Sequence, residues 1–406
     1  MMKLNRKIVV FLVTVLLLIS ISYGVHGNEN NKVLISLMGD VMMDRGVGSL
    51  IDIHGPDYPW EGVRDTLRKS DISLLNLETS IGSANIPIED KEYVFQSKPE
   101  SIVGLINASI DGVSIANNHS MDYGKEGFLE TIINLEKNGI KYSGGGRTIE
   151  EALKPAIWDV NGIKVGFLAF SRVIPQMSWY ATDKTPGIAS GYDYYAESVA
   201  ACVTQVKEQV DFLIVSTHWG KELAEHPQES DMKFAKLLID NGADVIMGHH
   251  PHVLQGIEIY NNKPIIYSLG NFVFNSRGFK SNSTMITNIE INKQGIIHMK
   301  IIPVEIKHGQ PSIAEGHAKE EIIQRMNDLS RRWGTTITRD GEIQGEIQYA
   351  TGYQQIENNN RVDEFIIHEI PTDNEKIKES RFIRFINKFI KAPIRVILKR
   401  INWKTK

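Results

Sequence analysis

The chain has 406 residues, of which 42% are hydrophobic and 23% are charged, and this ordinary globular composition excludes wholesale disorder. A chain of this length can bury a large core, divided over two or three structural units. Its formal net charge of −4 argues against a nucleic-acid partner, and its one cysteine, Cys202, excludes an intrachain disulfide framework and a thiolate metal cluster.

The N-terminus combines basic residues with an uncharged apolar run. Lys3, Arg6 and Lys7 precede IVVFLVTVLLLISISYGV, residues 8–25. A basic segment before an apolar one is typical of an export signal, and the run is close to the ~20 residues of a spanning helix. We expect residues 1–27 to be a signal or anchor segment. A single uncleaved membrane anchor with an extracytoplasmic body is favoured, and cleavage near Gly27 would instead make the protein secreted.

From residue 33 to about residue 272, apolar runs alternate with polar clusters and helix-like stretches. The runs are VLISLM (33–38), DISLLNLE (71–78), GVSIAN (112–117), KVGFLAF (164–170), DFLIVSTHW (211–219), ADVIMGHH (243–250) and PIIYSLGNF (264–272). Continuous apolar runs predict strands that are buried on both faces. Helical patterns at 126–139 and 229–242 each close on Asn-Gly, which is typical of a helix C-terminus. Strand and helix in alternation predict an α/β fold.

The pattern changes after residue 284. Residues 283–306 alternate across Asn-Lys-Gln-Gly, which predicts a β-hairpin, and a helix is expected near 317–332. We assign residues 32–308 to one domain, 309–372 to a C-terminal extension without a clear pattern, and 373–406 to a basic tail.

The tail is amphipathic. Its last 26 residues, 381–406, carry Lys and Arg but no acidic residue, and Phe382, Phe385 and Phe389 follow helical spacing until Pro393. Aromatic residues against a cationic face are typical of a helix that lies on anionic lipid. Docking of this helix on the body or on a partner protein, and a disordered tail, are the alternatives.

Polar clusters follow the predicted strands. The candidate site residues are, in chain order, Asp40, Arg45, Asn76, Glu78, Asn118, His119, Asp122, His218, Trp219, Glu222, His250, His252 and Asn271. Ligands bind at the carboxyl ends of strands in open α/β sheets. If one sheet carries all these strands, the clusters converge on a single edge.

Carboxylate, amide and imidazole groups together suit a divalent metal such as Mn, Fe or Zn. In MGHHPHVLQG (247–256), a turn at Pro251 can point His250 and His252 inward, while His249 is expected to be only a neighbour. Each candidate alone has an ordinary structural explanation, such as a helix cap or a core histidine. Their combination predicts a site for one or two metal ions, beside which His119 could protonate a leaving oxygen.

Six motifs resemble the CapA family of poly-γ-glutamate capsule synthesis proteins over residues 33–305. They are GDVMMDR (39–45), NLE (76–78), ANNHSMDYG (116–124), THWGKE (217–222), GHHPHVLQGIE (248–258) and SLGNFVF (268–274). The resemblance implies a fold like that of the calcineurin-like metallophosphoesterases, a four-layered αββα sandwich.

The resemblance also implies residue roles. It makes metal ligands of Asp40, Glu78, Asn118, His218, His250 and His252. His119 matches the catalytic histidine. Apart from the resemblance, Arg45 is a second catalytic candidate, as a source of local positive charge. Asn76, Asp122, Trp219, Glu222 and Asn271 are expected to contact the substrate. Two departures reduce the ligands of one metal site: Met42 replaces the histidine of the superfamily's Asp-x-His motif, and Glu78 stands where a bridging aspartate is usual.

In function, the resemblance implies a membrane-tethered, outward-facing component of polyglutamate synthesis and export. Its partners would be the polymer or a phosphorylated intermediate, the membrane subunits of the synthase complex, and the membrane itself; nucleic acid is not expected. A stand-alone extracellular metallophosphoesterase and a non-catalytic polymer-binding scaffold are the alternatives.

Overall fold

A computed structural model describes residues 31–89, 91–346 and 349. The predicted anchor (1–27) and the basic tail (373–406) lie outside these residues. None of the helices in these residues combines the length and the apolar character that crossing a membrane requires.

In the described part of the chain, the strands are β1 (Val33–Val41), β2 (Ile72–Leu77), β3 (Ser80–Ile81), β4 (Gln96–Ser97), β5 (Gly112–Ser114), β6 (Lys141–Ser143), β7 (Gly145–Gly146), β8 (Ala156–Val160), β9 (Ile163–Ser171), β10 (Gly187–Ile188), β11 (Phe212–His218), β12 (Val245–His249), β13 (Ile257–Tyr260), β14 (Lys263–Ile266), β15 (Asn271–Val273), β16 (Ser283–Asn292), β17 (Gly295–Lys307), β18 (Gln310–Ile313), β19 (Thr336–Ile337) and β20 (Ile343–Gln344). The helices there are α1 (Arg45–His54), α2 (Arg64–Leu67), α3 (Ser101–Asn107), α4 (Gly124–Lys137), α5 (Ile149–Ala152), α6 (Ala196–Lys207), α7 (Glu229–Asp240), α8 (Phe279–Asn282) and α9 (Gly316–Ser330).

Two sheets carry the longer strands. Counted over the described residues, the larger has eight strands in the order β18-β17-β16-β1-β2-β5-β6, with β15 also paired to β1. The smaller has six in the same residues, in the order β13-β14-β12-β11-β9-β8. β1 is parallel to β2 and β15, and β11 is parallel to β9 and β12. β16 and β17 form the predicted hairpin.

Apolar cores separate four layers. The two sheets face each other across a core that includes Ile35, Leu74, Phe167, Ile214 and Met247. A second core joins the outer face of the larger sheet to α1, α3 and α4, and a third joins the outer face of the smaller sheet to α6 and α7. Each fully buried large apolar side chain contributes about 1.5–3 kcal/mol. The α/β class is confirmed, and the layers follow the order helix, sheet, sheet, helix.

The predicted helices at 126–139 and 229–242 are α4 and α7. α4 buries Phe128, Ile132 and Leu135, which recur on one face at helical spacing. Both helices end at the predicted Asn-Gly, where Gly139 (φ 73°) and Gly242 (φ 113°) have left-handed backbone conformations that glycine adopts without strain.

The prediction of one strand over residues 264–272 is wrong. β14 ends at Ile266 in the smaller sheet, and β15 begins at Asn271 in the larger sheet. Gly270 turns the chain with φ 69°, so the segment crosses from one sheet to the other. This crossing brings Asn271 beside Asp40 in register.

The described part of the C-terminal extension packs on the same body. β18 pairs with β17, and the helix expected near 317–332 is α9. Ile322 and Met326 of α9 belong to the core between the sheets. Residues 310–344 therefore add to the body the edge strand β18, α9 and the pairing of β19 with β20.

Candidate metal centre

Strands from both sheets end at one edge of the sandwich. Asp40 lies in β1 and Glu78 follows β2 of the larger sheet, whereas His218 ends β11 and His250 follows β12 of the smaller sheet. The premise that a single sheet carries all these strands is therefore wrong. Their side chains still converge, because the carboxyl ends of both sets of parallel strands meet there.

The buried carboxylate of Asp40 accepts hydrogen bonds from both sheets. Its Oδ1 lies 2.9 Å from Asn76 Nδ2 and 2.9 Å from His249 Nδ1, and its Oδ2 accepts from the backbone N–H of His250 (3.3 Å). Burial alone would raise the pKa of Asp40, but hydrogen bonds from His249 and His252 outweigh it and hold this pKa well below its ordinary value. His249, expected to be only a neighbour, thus holds Asp40 in place.

Glu78 is a second fully buried carboxylate. Its Oε1 lies 3.6 Å from His218 Nε2 and 3.6 Å from His252 Nε2. Burial, reinforced by the negative charge of Asp40, raises the pKa of Glu78 well above its ordinary value. Glu78 therefore lies between histidines from both sides of the site.

The histidines differ in protonation. Burial, with the charge of His252, lowers the pKa of His250 to about 3, and burial with the charge of His250 lowers that of His218 well below its ordinary value. Burial alone would also lower the pKa of His252, but Glu78 and Asp40 raise it to about 10. The neutral forms of His218 and His250 are therefore favoured and have lone pairs to offer, whereas Glu78 and Asp40 favour the charged form of His252.

Two overlapping groups of donors could hold a divalent cation. Asp40, Glu78 and His218 form one, and Glu78, His250 and His252 form the other; within each group the donor atoms lie within 4.8 Å of one another. In the described residues, Oε1 of Glu78 and Nδ1 of His250 are buried without a hydrogen-bond partner, although buried polar atoms normally have one. Oxygen and imidazole donors left in this way fit a divalent metal, and Glu78 belongs to both groups.

Amide side chains hold the histidines of these groups. Asn118 Oδ1 lies 2.8 Å from His218 Nε2. Asn271 Oδ1 lies 2.9 Å from His252 Nδ1, which leaves Nε2 of that ring toward Glu78. Asn76 is fully buried, with Nδ2 on Asp40. Asn76 and Asn271, expected to contact substrate, therefore lie behind the metal-binding groups.

The buried carboxylate of Asp122 contacts the ring of His119. Asp122 Oδ2 lies 2.7 Å from His119 Nδ1 and accepts from the backbone N–H of Phe95 (2.7 Å). Lys91 Nζ contacts Asp122 Oδ1 and the backbone oxygen of Asn118, and lies 3.0 Å from His119 Nδ1. Burial lowers the pKa of His119, against the raising effect of Asp122. Asp122 is thus directed at His119.

Three other candidates lie apart from the donor groups. Trp219 is fully buried in the outer core of the smaller sheet, and its Nε1 donates to the backbone oxygen of Tyr267 (2.9 Å). Glu222 is exposed on the loop after β11. Arg45 is exposed at the start of α1, and the ring of Phe95 lies 5.1 Å from its guanidinium carbon.

Sequence reasoning missed several residues of the site. Lys91 and Phe95 lie in a segment, 83–95, without a helix or strand pattern. Asn117 stood beside two candidates in ANNH, and its Nδ2 donates to Asn76 Oδ1 (3.0 Å). For His249, the triplet of histidines was a signal, but its partner Asp40 is 209 residues away.

A family model described as "Bacterial capsule synthesis protein PGA_cap" matches residues 34–276, a range that contains all the donors above. The chain is 30% identical over 330 residues to the capsule biosynthesis protein CapA of Bacillus anthracis, covering 80% of each chain. It is 30% identical over 320 residues to the PGA biosynthesis protein CapA of Bacillus subtilis, covering 78% of this chain and 82% of the relative.

A more distant relative is described as a probable polyglutamine synthesis accessory protein of Mycobacterium tuberculosis. It is 28% identical over 298 residues, covering 69% of this chain and 78% of the relative. Among solved structures, the thiohydrolase SoxB of Thermus thermophilus aligns with 70% of this chain and 48% of its own at a TM-score of 0.38 and 10% identity. That TM-score is too low to support an argument about fold.

Proposed function

The chain belongs to the family of bacterial capsule synthesis proteins, and from this premise we propose that it is an extracytoplasmic component of poly-γ-glutamate synthesis or export with a metal-dependent, hydrolase-like site. The names of the Bacillus and Mycobacterium relatives, which refer to capsule, PGA and polyglutamine synthesis, support the pathway. The geometry of the donor groups supports the metal.

The observation that carries the proposal is the position of Glu78. Its buried carboxylate is shared by two donor groups, and its Oε1 has no hydrogen-bond partner among the described residues. Asp40 and His218 would complete one site, and His250 and His252 the other. When bound there, Mn, Fe or Zn would polarise a phosphoryl or carbonyl oxygen and lower the pKa of a bound water.

The protein's own residues hold and protonate the reacting groups. Asp122 fixes the His119 ring through Nδ1, so Nε2 is the atom available to donate a proton to a leaving oxygen. His249 and Asn271 orient Asp40 and His252, as residues behind a metal ligand commonly do.

The departures from the superfamily make the two donor groups unequal. Met42 occupies the position of a usual histidine ligand, and its sulfur accepts from the backbone N–H of Asp44 (3.3 Å). The group of Asp40, Glu78 and His218 therefore lacks one imidazole, and we expect it to bind a metal more weakly than the group with two histidines.

Location and partners follow from segments outside the described residues. We propose that residues 8–25 anchor the protein, with the body on the outer side, and that the basic tail lies on anionic lipid. The anchored body would then meet the polymer, or a phosphorylated intermediate, as the membrane subunits of the synthase complex release it.

The test is the metal content of the full-length chain, purified in detergent and measured by elemental mass spectrometry. The His250→Ala, His252→Ala variant should lose metal. A control variant, His54→Ala with His317→Ala, removes two exposed histidines and should keep it. A folded wild-type chain that stays metal-free after incubation with Mn, Fe and Zn would contradict the proposal.

Substrate assays of the metal-loaded chain then separate the three functions. Cleavage of poly-γ-glutamate or of a phosphorylated intermediate fits the proposed role. Hydrolysis of simple phosphoesters without any effect on the polymer would indicate a stand-alone phosphoesterase. Binding of the polymer with neither reaction would indicate a scaffold.

A further inference from the structure

Arg45 has a backbone conformation that costs energy. It is the first residue of α1, four residues after β1 ends, and has φ 51°, a left-handed value that is uncommon for residues other than glycine. Such residues cluster at functional sites, where the surrounding structure fixes them. The next residue, Gly46, lies against the side chain of Asn275, whose Nδ2 would be 2.2 Å from a Cβ on Gly46.

The side chain of Arg45 is held over an aromatic surface. Its guanidinium carbon lies 5.8 Å from the ring centroid of Tyr93 and 5.1 Å from that of Phe95, within the range of a cation–π interaction. Its Nη2 donates to the backbone oxygen of Val94 (3.3 Å). Among the described residues Arg45 has no carboxylate partner within ion-pair distance, so an exposed guanidinium keeps free donors and its charge.

The same aromatic surface leads to the site. The ring of Phe95 lies 4.4 Å from that of His119 and 6.3 Å from that of Phe274, whose ring is 5.0 Å from His252. The ring of Phe95 therefore lies between Arg45 and His119, the proposed proton donor. Lys91, a cation next to His119, is already bonded to Asp122.

We propose that Arg45 binds a carboxylate of the substrate next to the bond held at the metal centre and so determines specificity for a polymer with free carboxylates. This inference rests on the proposed function. A planar guanidinium fork matches a carboxylate with two parallel hydrogen bonds. Arg45 then acts in recognition, and metal binding is independent of it.

The test uses binding, which does not depend on catalysis. A short γ-linked glutamate oligomer and its analogue with α-carboxamides in place of α-carboxylates are titrated by calorimetry into the full-length chain, with and without Mn. Arg45→Gln should weaken binding of the acid oligomer about tenfold to a hundredfold and leave binding of the amide analogue unchanged. Arg45→Lys should restore part of the affinity, because the charge remains and the fork is lost.

The matched control is Arg68→Gln. Arg68 is also exposed, donates to a backbone oxygen (Asn107 O, 3.1 Å) and forms no ion pair with the described residues. It precedes β2 and so lies at the amino ends of the strands, away from the site. Its replacement should change neither affinity nor metal content.

Two results would overturn the assignment. One is equal loss of affinity for the acid and amide oligomers in Arg45→Gln. The other is an Arg45→Gln chain that binds the acid oligomer with unchanged affinity but binds inorganic phosphate more weakly. That result would make Arg45 a phosphate ligand. A metal-free wild-type chain would refute the proposed metal centre, while Arg45-dependent binding of the acid oligomer would still support the assignment.

Discussion

The substitution Gly39→Ala tests whether the crossing between the sheets builds the site. Gly39 precedes Asp40 in β1, where the chain passes the turn at Gly270. A Cβ on Gly39 would lie 2.0 Å from the backbone oxygen of Gly270 and 2.9 Å from its carbonyl carbon. That oxygen accepts the N–H of Asp40 (2.9 Å), and the next residue, Asn271, holds His252.

The expected cost follows from that contact. Real Cβ atoms almost never approach another atom closer than 3.0 Å, so the two backbones must separate by at least 3.0 − 2.0 = 1.0 Å. Overpacking of this kind costs about 1–3 kcal/mol, and weakening the Asp40 N–H bond adds about 1 kcal/mol. The midpoint of thermal unfolding should therefore fall by roughly 3–6 °C. Metal content should fall as well, because ligands must be held within about 0.5 Å of their working geometry.

Circular dichroism of the full-length chain in detergent gives the midpoint, and elemental analysis gives the metal content. Gly48→Ala is the control, because a Cβ there lies 3.3 Å from its nearest neighbour, the backbone oxygen of Met43. Inside α1 alanine is favoured over glycine by about 1 kcal/mol, which offsets the small shift that the contact with this oxygen requires, so this control should unfold close to the wild-type midpoint. A Gly39→Ala chain with wild-type midpoint and metal content would refute the reasoning.

Three further changes test other parts of the structure. Burial raises the pKa of the Cys202 thiol to about 12, so iodoacetamide at pH 8 should leave it unmodified in the folded chain and label it after denaturation; labelling of folded protein would contradict the buried position. Glu78 helps to raise the pKa of His252 to about 10 despite burial. Metal binding at pH 7 should therefore release at least one proton and tighten as pH rises. Calorimetry in buffers of different ionisation enthalpy measures the proton release, and identical heats in all buffers would disprove it. Asp122→Asn breaks a buried ion pair and should lower the free energy of unfolding by about 3 kcal/mol, but the folded variant should keep its metal. Loss of metal from the folded variant would show that this carboxylate belongs to the ligand set.

The strands themselves could be predicted because their signal is local. The run DFLIVSTHW becomes β11, Phe212–His218, and the run at 33–38 opens β1. Which sheet each strand joins is not a local property. The sequence PIIYSLGNF predicts a single strand, yet its two ends pair with β12 and with β1, and the turn at Gly270 that separates them has no hydrophobic signature.

The candidate site shows the same division. The residue types at the strand ends indicated which donor side chains the structure brings together. Metal-binding chemistry restricts the choice of such ligands to carboxylates and imidazoles. Their supports were harder to predict. Lys91 is one charged residue in a polar loop, and only the folded chain shows that it reaches Asp122. Trp219 follows His218, which faces the site, and because successive strand residues point to opposite faces, the ring of Trp219 lies in the outer core of the smaller sheet.

The buried charges give the strongest physical reason to expect an occupied site. Asp40 and Glu78 are both fully buried, and two carboxylates in one low-dielectric space repel each other and lose their hydration. The proton on His252 offsets part of that cost, but Oε1 of Glu78 still has no donor among the described residues. A chain selected for stability alone would place apolar side chains here. A divalent cation would satisfy the orphaned oxygen and neutralise both carboxylates, and at a hundred times its Kd it would stabilise the fold by about 2.7 kcal/mol. The site is therefore a cost to the fold that metal binding would offset.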